Sequence, residues 1–183
     1  MSFGALHSVL AADSVKAALR LGRYNRLAYN GFALLHLGIV WWLGRFWLGD
    51  AAPLGLPPAA RTAGDVVSLL GVAVIAVALT GYDRGRFLGM TQLRAPDVEP
   101  DEGLRIDGLH RYVRHPLYSG LFLMLWGHAQ TEFALATAFW GSVYLVIGTL
   151  FEERRLIARY GQAYAAYRSR VPAFVPWRGK SAD

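Results

Sequence analysis

Gly108 to Gly120 reads G-L-H-R-Y-V-R-H-P-L-Y-S-G, a basic and aromatic loop that leads directly into an apolar run. Pro116 stands where a helix is expected to begin, because a proline in the first turn loses no intrahelical hydrogen bond. His115 is expected to be extended, since a proline disfavours the helical conformation of the residue before it. The free N–H groups of the first turn, beside Arg114 and His115, therefore predict a site for an anion such as a carboxylate or phosphate.

Two apolar runs, Leu117 to Ala129 and Phe133 to Phe151, are separated by a short polar turn. This arrangement is typical of an antiparallel helical hairpin. Small residues let helix backbones approach closely in membranes, so we expect a tight interface between these two helices. The small residues are Gly120 and Gly127 on the first helix and Ala134, Ala138, Gly141 and Gly148 on the second.

The second helix of the hairpin ends in a pair of carboxylates, Glu152 and Glu153. An antiparallel hairpin returns this end to the start of the first helix, so the carboxylates are expected close to the anion site. The same helix is expected to continue as a cytosolic tail, because a stripe of residues repeats at helical spacing and is interpreted as a packing face. The stripe consists of Glu153, Ile157, Tyr160, Tyr164 and Tyr167.

The composition indicates a membrane protein. Of 183 residues, 54% are hydrophobic and only 17% are charged, which is too apolar for an ordinary soluble domain. Leu27 to Leu48 and Val66 to Tyr82 are further spans, and Met1 to Ala12 predicts a short N-terminal helix. We therefore expect an all-α polytopic membrane protein with about four spanning helices. The chain is interpreted as one domain over residues 1–183, with the cofactor-binding part at about 84–177.

The residue types present exclude several kinds of chemical site. The chain has no cysteine, which excludes a thiol nucleophile, a disulfide and a Cys-ligated metal; no cluster of other ligands demands a metal either.

The distribution of basic residues predicts the orientation in the membrane. Arg45 and Arg61 fall on one side of the predicted spans, and all other Lys and Arg fall on the opposite side. The positive-inside rule makes the opposite side cytoplasmic. The anion site and the glutamate pair are then expected to face the cytoplasm.

Three motifs in the C-terminal part resemble a known family. R-H-P-L-Y-S-G at 114–120, E-E at 152–153 and Y-G-Q-A-Y-A-A-Y-R-S-R-V-P-A-F-V-P at 160–176 are similar to the integral-membrane methyltransferases, which include isoprenylcysteine carboxyl methyltransferase and phospholipid methyltransferases. L-H-S-V-L-A at 6–11, R-Y-N-R-L-A-Y-N at 23–30 and R-F-L-G-M-T-Q-L at 86–93 resemble a bacterial branch with methanethiol S-methyltransferases and denitrification-associated membrane proteins.

The resemblance implies S-adenosylmethionine (SAM) as the cofactor and methyl transfer as the reaction. Arg114, His115 and the helix start suit the carboxylate of SAM, and Glu152 or Glu153 suits its ammonium group. Arg114 and His115 are interpreted as catalytic cations. The full set of expected cofactor-binding residues is His110, Tyr112, Arg114, His115, Pro116, Tyr118, Gly120, Glu152 and Glu153.

The methyl acceptor is expected to be a small thiol, or a lipophilic thiol or carboxylate that enters from the lipid. Asn30 and His36 lie within the span Leu27 to Leu48. Polar side chains at membrane depth are often functional, so these two are candidate substrate residues, although a lone Asn or His in a span is more often an interhelical hydrogen-bonding residue. Membrane lipid is an expected partner, and nucleic acid is not.

Other interpretations stay open at this point. An NADPH-dependent reductase on the same membrane fold would also need a basic pocket, although the glutamate pair would repel its phosphates. A non-enzymatic membrane protein of the denitrification-associated branch could keep the pocket residues without turnover. The arginine, histidine and glutamates could also serve only to hold the helices together.

Overall fold

The computed structural model describes residues 22–49, 52–82, 85, 90 and 103–178. Five α-helices lie wholly within these residues, and no β-strand does. They are α1 (Asn25–Leu48), α2 (Pro58–Thr80), α3 (Pro116–Gly127), α4 (Glu132–Tyr160) and α5 (Gln162–Arg170), with 3-10 turns at Gly22–Tyr24 and Gly108–Arg111. The prediction of an all-α protein is confirmed.

Three of these helices, α1, α2 and α4, are long and apolar enough to cross a membrane by length and composition. Helix α3 has 12 residues, or about 18 Å, which is short of a hydrocarbon core of about 30 Å. Helix α4 has 29 residues and spans about 44 Å, so one end extends beyond that core. The protein is thus an integral membrane protein, and the approximate number of spans agrees with the sequence prediction.

The chain divides into two compact units, which are described separately. Helix α1 belongs to the first unit, and α2 to α5 belong to the second. The prediction of a single domain over residues 1–183 stays a prediction. The predicted helix at 1–12 and the motif at 6–11 lie outside the described residues, as does most of the motif at 86–93.

Helix α2 begins earlier than its apolar run. It starts at Pro58, after Pro57 in an extended conformation, whereas the hydrophobic pattern placed its start at Val66. Pro58 in the first turn needs no intrahelical donor, so it favours a start there. Arg61 and Asp65 therefore lie in the first turns of α2, where hydrophobicity alone does not detect a helix.

Glycines hold α2 and α3 close together in antiparallel orientation. A Cβ atom added at Gly120 would lie 2.7 Å from Ile75 Cγ1 and 2.8 Å from the carbonyl oxygen of Gly71. At the other end of the same contact, a Cβ atom at Gly64 would lie 2.7 Å from the carbonyl oxygen of Gly127. These distances are below any normal carbon contact, so only glycine fits.

The sequence predicted a tight interface between α3 and α4, and this prediction was wrong, because the close interface of α3 is with α2. The α3–α4 hairpin itself is present, but Gly120 and Gly127 face α2 rather than α4. On α4, the space beside Gly148 is open, and a Cβ at Gly141 would meet only a side-chain carbon of Leu125, at 3.0 Å. A stripe of small residues predicts close packing but does not name the helix that packs there.

The helical tail predicted beyond Glu153 is present, but it is interrupted at Gly161 rather than continuous. Helix α4 ends at Tyr160, and Gly161 has a φ of +55°, a conformation that favours glycine. The chain then turns back as α5, whose residues Tyr164 and Tyr167 form a small core with Val171, packed against Leu104, Leu156 and Tyr160. The spacing of the tyrosines is helical on both sides of Gly161, so periodicity alone hides the reversal.

The end of α2 that carries Arg61 lies next to the turn between α3 and α4. The side chain of Gln130 donates to Asp65 Oδ1 at 2.6 Å and to the carbonyl oxygen of Arg61 at 3.2 Å. Thr131 caps α4 by accepting from the N–H of Ala134 at 3.2 Å. Since α3 begins at Pro116, at its opposite end, Arg61 and the predicted site lie at opposite ends of this unit.

Candidate functional site

The loop before α3 is fixed by the segment after α5. The N–H of Arg114 donates to the carbonyl oxygen of Pro172 at 2.9 Å, and that of His115 donates to Ala173 at 3.0 Å. Pro116 is the first residue of α3, as predicted. His115 has φ −124° and ψ 67°, which is non-helical, as expected before a proline, but not fully extended. His115 and Pro116 are buried, which holds the imidazole in one position.

Glu153 is the centre of the charged cluster. Its Oε1 atom accepts from Arg114 Nε at 2.8 Å and lies 2.6 Å from Arg114 Nη2 and 3.2 Å from His115 Nε2. Its Oε2 atom lies 3.1 Å from Arg168 Nε. The carboxylate side chain is only 6% exposed, so three cationic or polar groups replace the water that it gives up on burial.

Arg114 joins three parts of the unit. Besides Glu153, its guanidinium donates to the carbonyl oxygens of Arg168, at 3.2 Å, and of Val171. The side chain is 11% exposed. A guanidinium with a carboxylate and two carbonyl partners is held in a fixed plane, so Arg114 ties the start of α3 to α4 and to the C-terminal segment.

His115 lies between two carboxylates of unequal exposure. Its Nε2 faces the buried Glu153, and its Nδ1 lies 3.6 Å from Glu152 Oε2, whose side chain is 45% exposed. The second distance exceeds a hydrogen bond, so this contact is electrostatic. The structure therefore brings the predicted cations and the predicted carboxylates together at the end of α3 and α4.

Two aromatic rings pack against the His115 imidazole. The Tyr118 ring is stacked on the imidazole, with centroids 5.5 Å apart and planes inclined by 8°. Phe174 lies 5.9 Å from it and packs edge-on against Phe122 at 5.0 Å. Ser119 Oγ donates to the carbonyl oxygen of Phe174 at 2.7 Å, which fixes this segment beside α3.

His110 and Tyr112 lie on the approach to this cluster. His110 Nδ1 lies 3.1 Å from the carbonyl oxygen of Arg114, and its own carbonyl accepts from the Tyr167 hydroxyl at 2.7 Å. Burial lowers the pKa of His110, which favours the neutral ring. Tyr112 is 40% exposed. His110 thus braces the loop, while Tyr112 faces outward.

Three further predicted site residues have no contact described with the charged cluster. Gly120 lies against α2, with Ile75 in the space beside it. Asn30 and His36 lie on α1, in the first unit. The assignment of Gly120 to cofactor binding, and of Asn30 and His36 to the acceptor, stays a prediction.

Four residues of the cluster were not predicted from the sequence as site residues: Ser119, Tyr164, Arg168 and Phe174. Tyr164 is 1% exposed, and its hydroxyl has no hydrogen-bond partner among the described residues. Burial raises the pKa of Tyr164 to about 12, and the Glu153 carboxylate adds to the shift. The tyrosine stripe and the R-S-R sequence at 168–170 were visible, but only the reversal at Gly161 directs them to Glu153.

Curated proteins similar to this chain are named as methyltransferases. The resemblance predicted from the motifs is confirmed. A methanethiol S-methyltransferase 2 of Bradyrhizobium diazoefficiens is 41% identical over 76 residues, which cover 41% of this chain and 29% of that protein. A methanethiol S-methyltransferase of Pseudomonas deceptionensis is 29% identical over 186 aligned residues, 95% of this chain and 69% of that protein. A protein-S-isoprenylcysteine O-methyltransferase of Schizosaccharomyces pombe is 34% identical over 82 residues, 42% of this chain and 34% of that protein.

The chain spans 25% to 29% of the length of three of the methanethiol S-methyltransferases that it matches. No protein-family model matches it, and no solved structure does. The relatives' names imply a methyl donor. Because the matches cover only part of these relatives, we propose the activity of the whole protein, its acceptor and its partners below.

Proposed function

We propose that this protein is a SAM-dependent methyltransferase embedded in the bacterial inner membrane, with its site facing the cytoplasm. The cofactor site is formed by the start of α3 and the end of α4. The observation that carries the proposal is the buried Glu153 carboxylate held by Arg114 and His115. The sequence similarity to methyltransferases supports the same reaction class.

The donor set fits the charges of SAM. The amino-acid end of SAM has a carboxylate and an ammonium group, and its sulfonium is a second cation. Glu152 is 45% exposed, and Glu153 Oε2 contacts the half-exposed Arg168, which another cation can replace. The N-terminal turn of α3 carries a partial positive charge that favours a carboxylate. A site that offers both positive and negative charge at close range suits a zwitterion better than a phosphate.

Methyl transfer needs alignment and electrostatics more than acid–base chemistry. SAM, when bound, supplies an activated methyl group on a sulfonium. Arg114, fixed by its carbonyl partners, keeps the Glu153 carboxylate in one position. The His115 imidazole is held by its backbone bond and by the stacked Tyr118 ring. Rigid placement of these groups lowers the entropy cost of aligning the reactants.

The catalytic roles that we propose for Arg114 and His115 are electrostatic. An anionic acceptor, such as a thiolate or carboxylate, is stabilised by a nearby cation or hydrogen-bond donor. His115 is the better placed of the two, since Arg114 is committed to Glu153 and to two carbonyl groups. No metal is needed for this step, because the acceptor is already anionic.

The acceptor that we propose is a small thiol, or a lipophilic thiol or carboxylate. The relatives' names include methanethiol and S-isoprenylcysteine, which are sulfur compounds of low polarity. The apolar helices α1, α2 and α4 place the protein in lipid, where such acceptors concentrate. Asn30 and His36 remain the proposed acceptor-side residues.

Equilibrium binding of radiolabelled SAM to the detergent-purified protein tests the cofactor. We expect a dissociation constant in the micromolar range, about −8 kcal/mol, and a loss of at least about tenfold in His115→Ala and Glu153→Gln. The matched controls are His128→Ala and Glu132→Gln, which make the same changes near the opposite ends of α3 and α4. Both controls should bind as the wild type does.

Methyl transfer to thiols, prenylcysteines and phospholipids is then measured with the labelled cofactor. Turnover on one class identifies the acceptor. SAM binding without turnover on any acceptor favours the non-enzymatic alternative. Binding of NADPH but not of SAM favours the reductase alternative, and it contradicts the argument that the glutamate pair repels phosphates.

A further inference from the structure

The two oxygens of Glu153 are held in different ways. Oε1 is shared by Arg114 and His115, whose side chains are 11% and 5% exposed. Oε2 contacts Arg168, whose side chain is 48% exposed. One oxygen is therefore fixed by buried groups, and the other is closed off by a side chain that reaches it from solvent.

Arg168 is attached to the cluster through its backbone as well. Its carbonyl oxygen accepts from Arg114 Nη1 at 3.2 Å. The backbone of Arg168 therefore stays in place when the side chain moves. A half-exposed arginine–carboxylate contact is weak and screened by salt, so the guanidinium can leave Oε2 at little cost while Arg114 and His115 keep Oε1.

We propose that Arg168 occupies, in the ligand-free protein, the position that the ammonium group of the cofactor takes in the complex. The inference rests on the proposed function and adds a competing residue to the same site. The exchange replaces one cation by another at Glu153 Oε2, while Arg114 and His115 stay on Oε1. A buried oxygen without a hydrogen-bond partner is unfavourable, so Arg168 gives Oε2 a partner when the cofactor is not bound.

The position of Glu152 supports this route. Its carboxylate is half-exposed and lies beside His115, next to Glu153 in the chain. A cation that arrives from solvent meets Glu152 and Arg168 before it meets the buried Oε2. The half-exposed Glu152 adds a second negative charge next to Glu153 in the chain, which attracts a cationic ligand to this end of α4.

The direction in which ligand affinity changes distinguishes a competing role of Arg168 from a merely structural one. If Arg168 competes with the ligand, its removal strengthens binding of a ligand that carries the ammonium group. A half-exposed ion pair is worth little, so the expected gain is about fivefold. If Arg168 instead holds Glu153 in its binding geometry, its removal weakens binding.

The test compares SAM binding to detergent-purified wild type, Arg168→Gln and Arg170→Gln. Arg170 is the matched control, since it is two residues away, loses the same charge and donates to the carbonyl oxygen of Ala166. We expect a dissociation constant about fivefold lower in Arg168→Gln and unchanged in Arg170→Gln. The affinity for 5′-methylthioadenosine, which lacks the amino-acid end, should not change in either variant.

Each other outcome has a defined meaning. If the wild type binds SAM and Arg168→Gln binds it equally or more weakly, the competing role is overturned and the proposed function stands. A gain of equal size in Arg170→Gln, or with 5′-methylthioadenosine, also overturns it, since the effect is then general charge. If neither the wild type nor Arg168→Gln binds SAM, the proposed function fails and the inference fails with it.

A second variant covers the case in which Arg168→Gln does not fold. Arg168→Lys keeps the charge but loses the planar, two-sided geometry of the guanidinium. It is expected to fold and to bind SAM at least as tightly as the wild type. Weaker binding by folded Arg168→Lys overturns the competing role.

Discussion

Arg114 and Glu153 are 39 positions apart in the chain and form a buried ion pair, with Arg114 Nη2 2.6 Å from Glu153 Oε1. The pair connects the start of α3 to the end of α4. Because both side chains are shielded from water, each depends on the other for its electrostatic compensation. The geometry of the site and the stability of the fold therefore rest on the same contact.

Glu153→Gln is expected to lower the free energy of unfolding by about 3 kcal/mol, because it leaves the buried Arg114 without its carboxylate. Glu152→Gln is the control, since the Glu152 side chain is 45% exposed. It should change stability by less than about 0.5 kcal/mol. Thermal unfolding in detergent, followed by circular dichroism, measures both. Equal effects of the two substitutions would show that the buried pair adds nothing to stability.

The glycine contact between α2 and α3 predicts that two glycine substitutions differ in their effect on stability. Gly120→Ala should destabilise the protein by about 2 kcal/mol, because its methyl group meets Ile75 and the backbone of Gly71. Gly148→Ala enters open space on α4 and should be neutral or stabilising by up to about 1 kcal/mol. Thermal unfolding of the wild type and the two variants in the same detergent measures both changes in stability. A neutral Gly120→Ala would contradict the close approach of the two backbones.

The local chemistry of the loop could be read from the sequence. Pro116 set the start of α3, the arginine and histidine before it marked a charged site, and the apolar runs marked the helices. These features depend on neighbouring residues, so a single sequence contains them. The closeness of the glutamates to the arginine also followed, because a hairpin of two apolar helices returns one end to the other. Their direct pairing did not follow, since the sequence assigned Arg114 and the glutamates to opposite charges of the cofactor.

Long-range partners could not be predicted in the same way. The glycines of α3 would fit closely against any helix, and only the fold shows that α2 is the partner. The tyrosine stripe keeps helical spacing across Gly161, so the sequence pattern is the same for a straight tail and for a reversed one. Arg168 and Tyr164 joined the site only through that reversal, which is why composition and periodicity did not identify them.

Acid should weaken the fold partly through His110. Burial lowers the pKa of His110 from its ordinary 6.5, so the unfolded chain binds a proton more readily than the folded one. The contribution to stability is fully present above pH 6.5 and is lost as the pH falls below that value. The free energy of unfolding at pH 7.5 and at pH 5.5 should therefore differ less in His110→Gln than in the wild type. His128→Gln, at the opposite end of α3, is the control and should keep the wild-type difference.

Tyr164 and Tyr167 give the sharpest comparison, because one chemical change is expected to act in opposite directions. The Tyr164 hydroxyl is buried without a partner among the described residues, and the Tyr167 hydroxyl donates to the carbonyl oxygen of His110 at 2.7 Å. Without ligand, Tyr164→Phe should raise the free energy of unfolding by about 1 kcal/mol, since it removes an unsatisfied polar group, and Tyr167→Phe should lower it by a similar amount. Unfolding in detergent without SAM measures both. A loss of stability in Tyr164→Phe as large as that in Tyr167→Phe would mean that the hydroxyl has a partner, and the Arg114 guanidinium, which also acts on the pKa of Tyr164, is the nearest candidate.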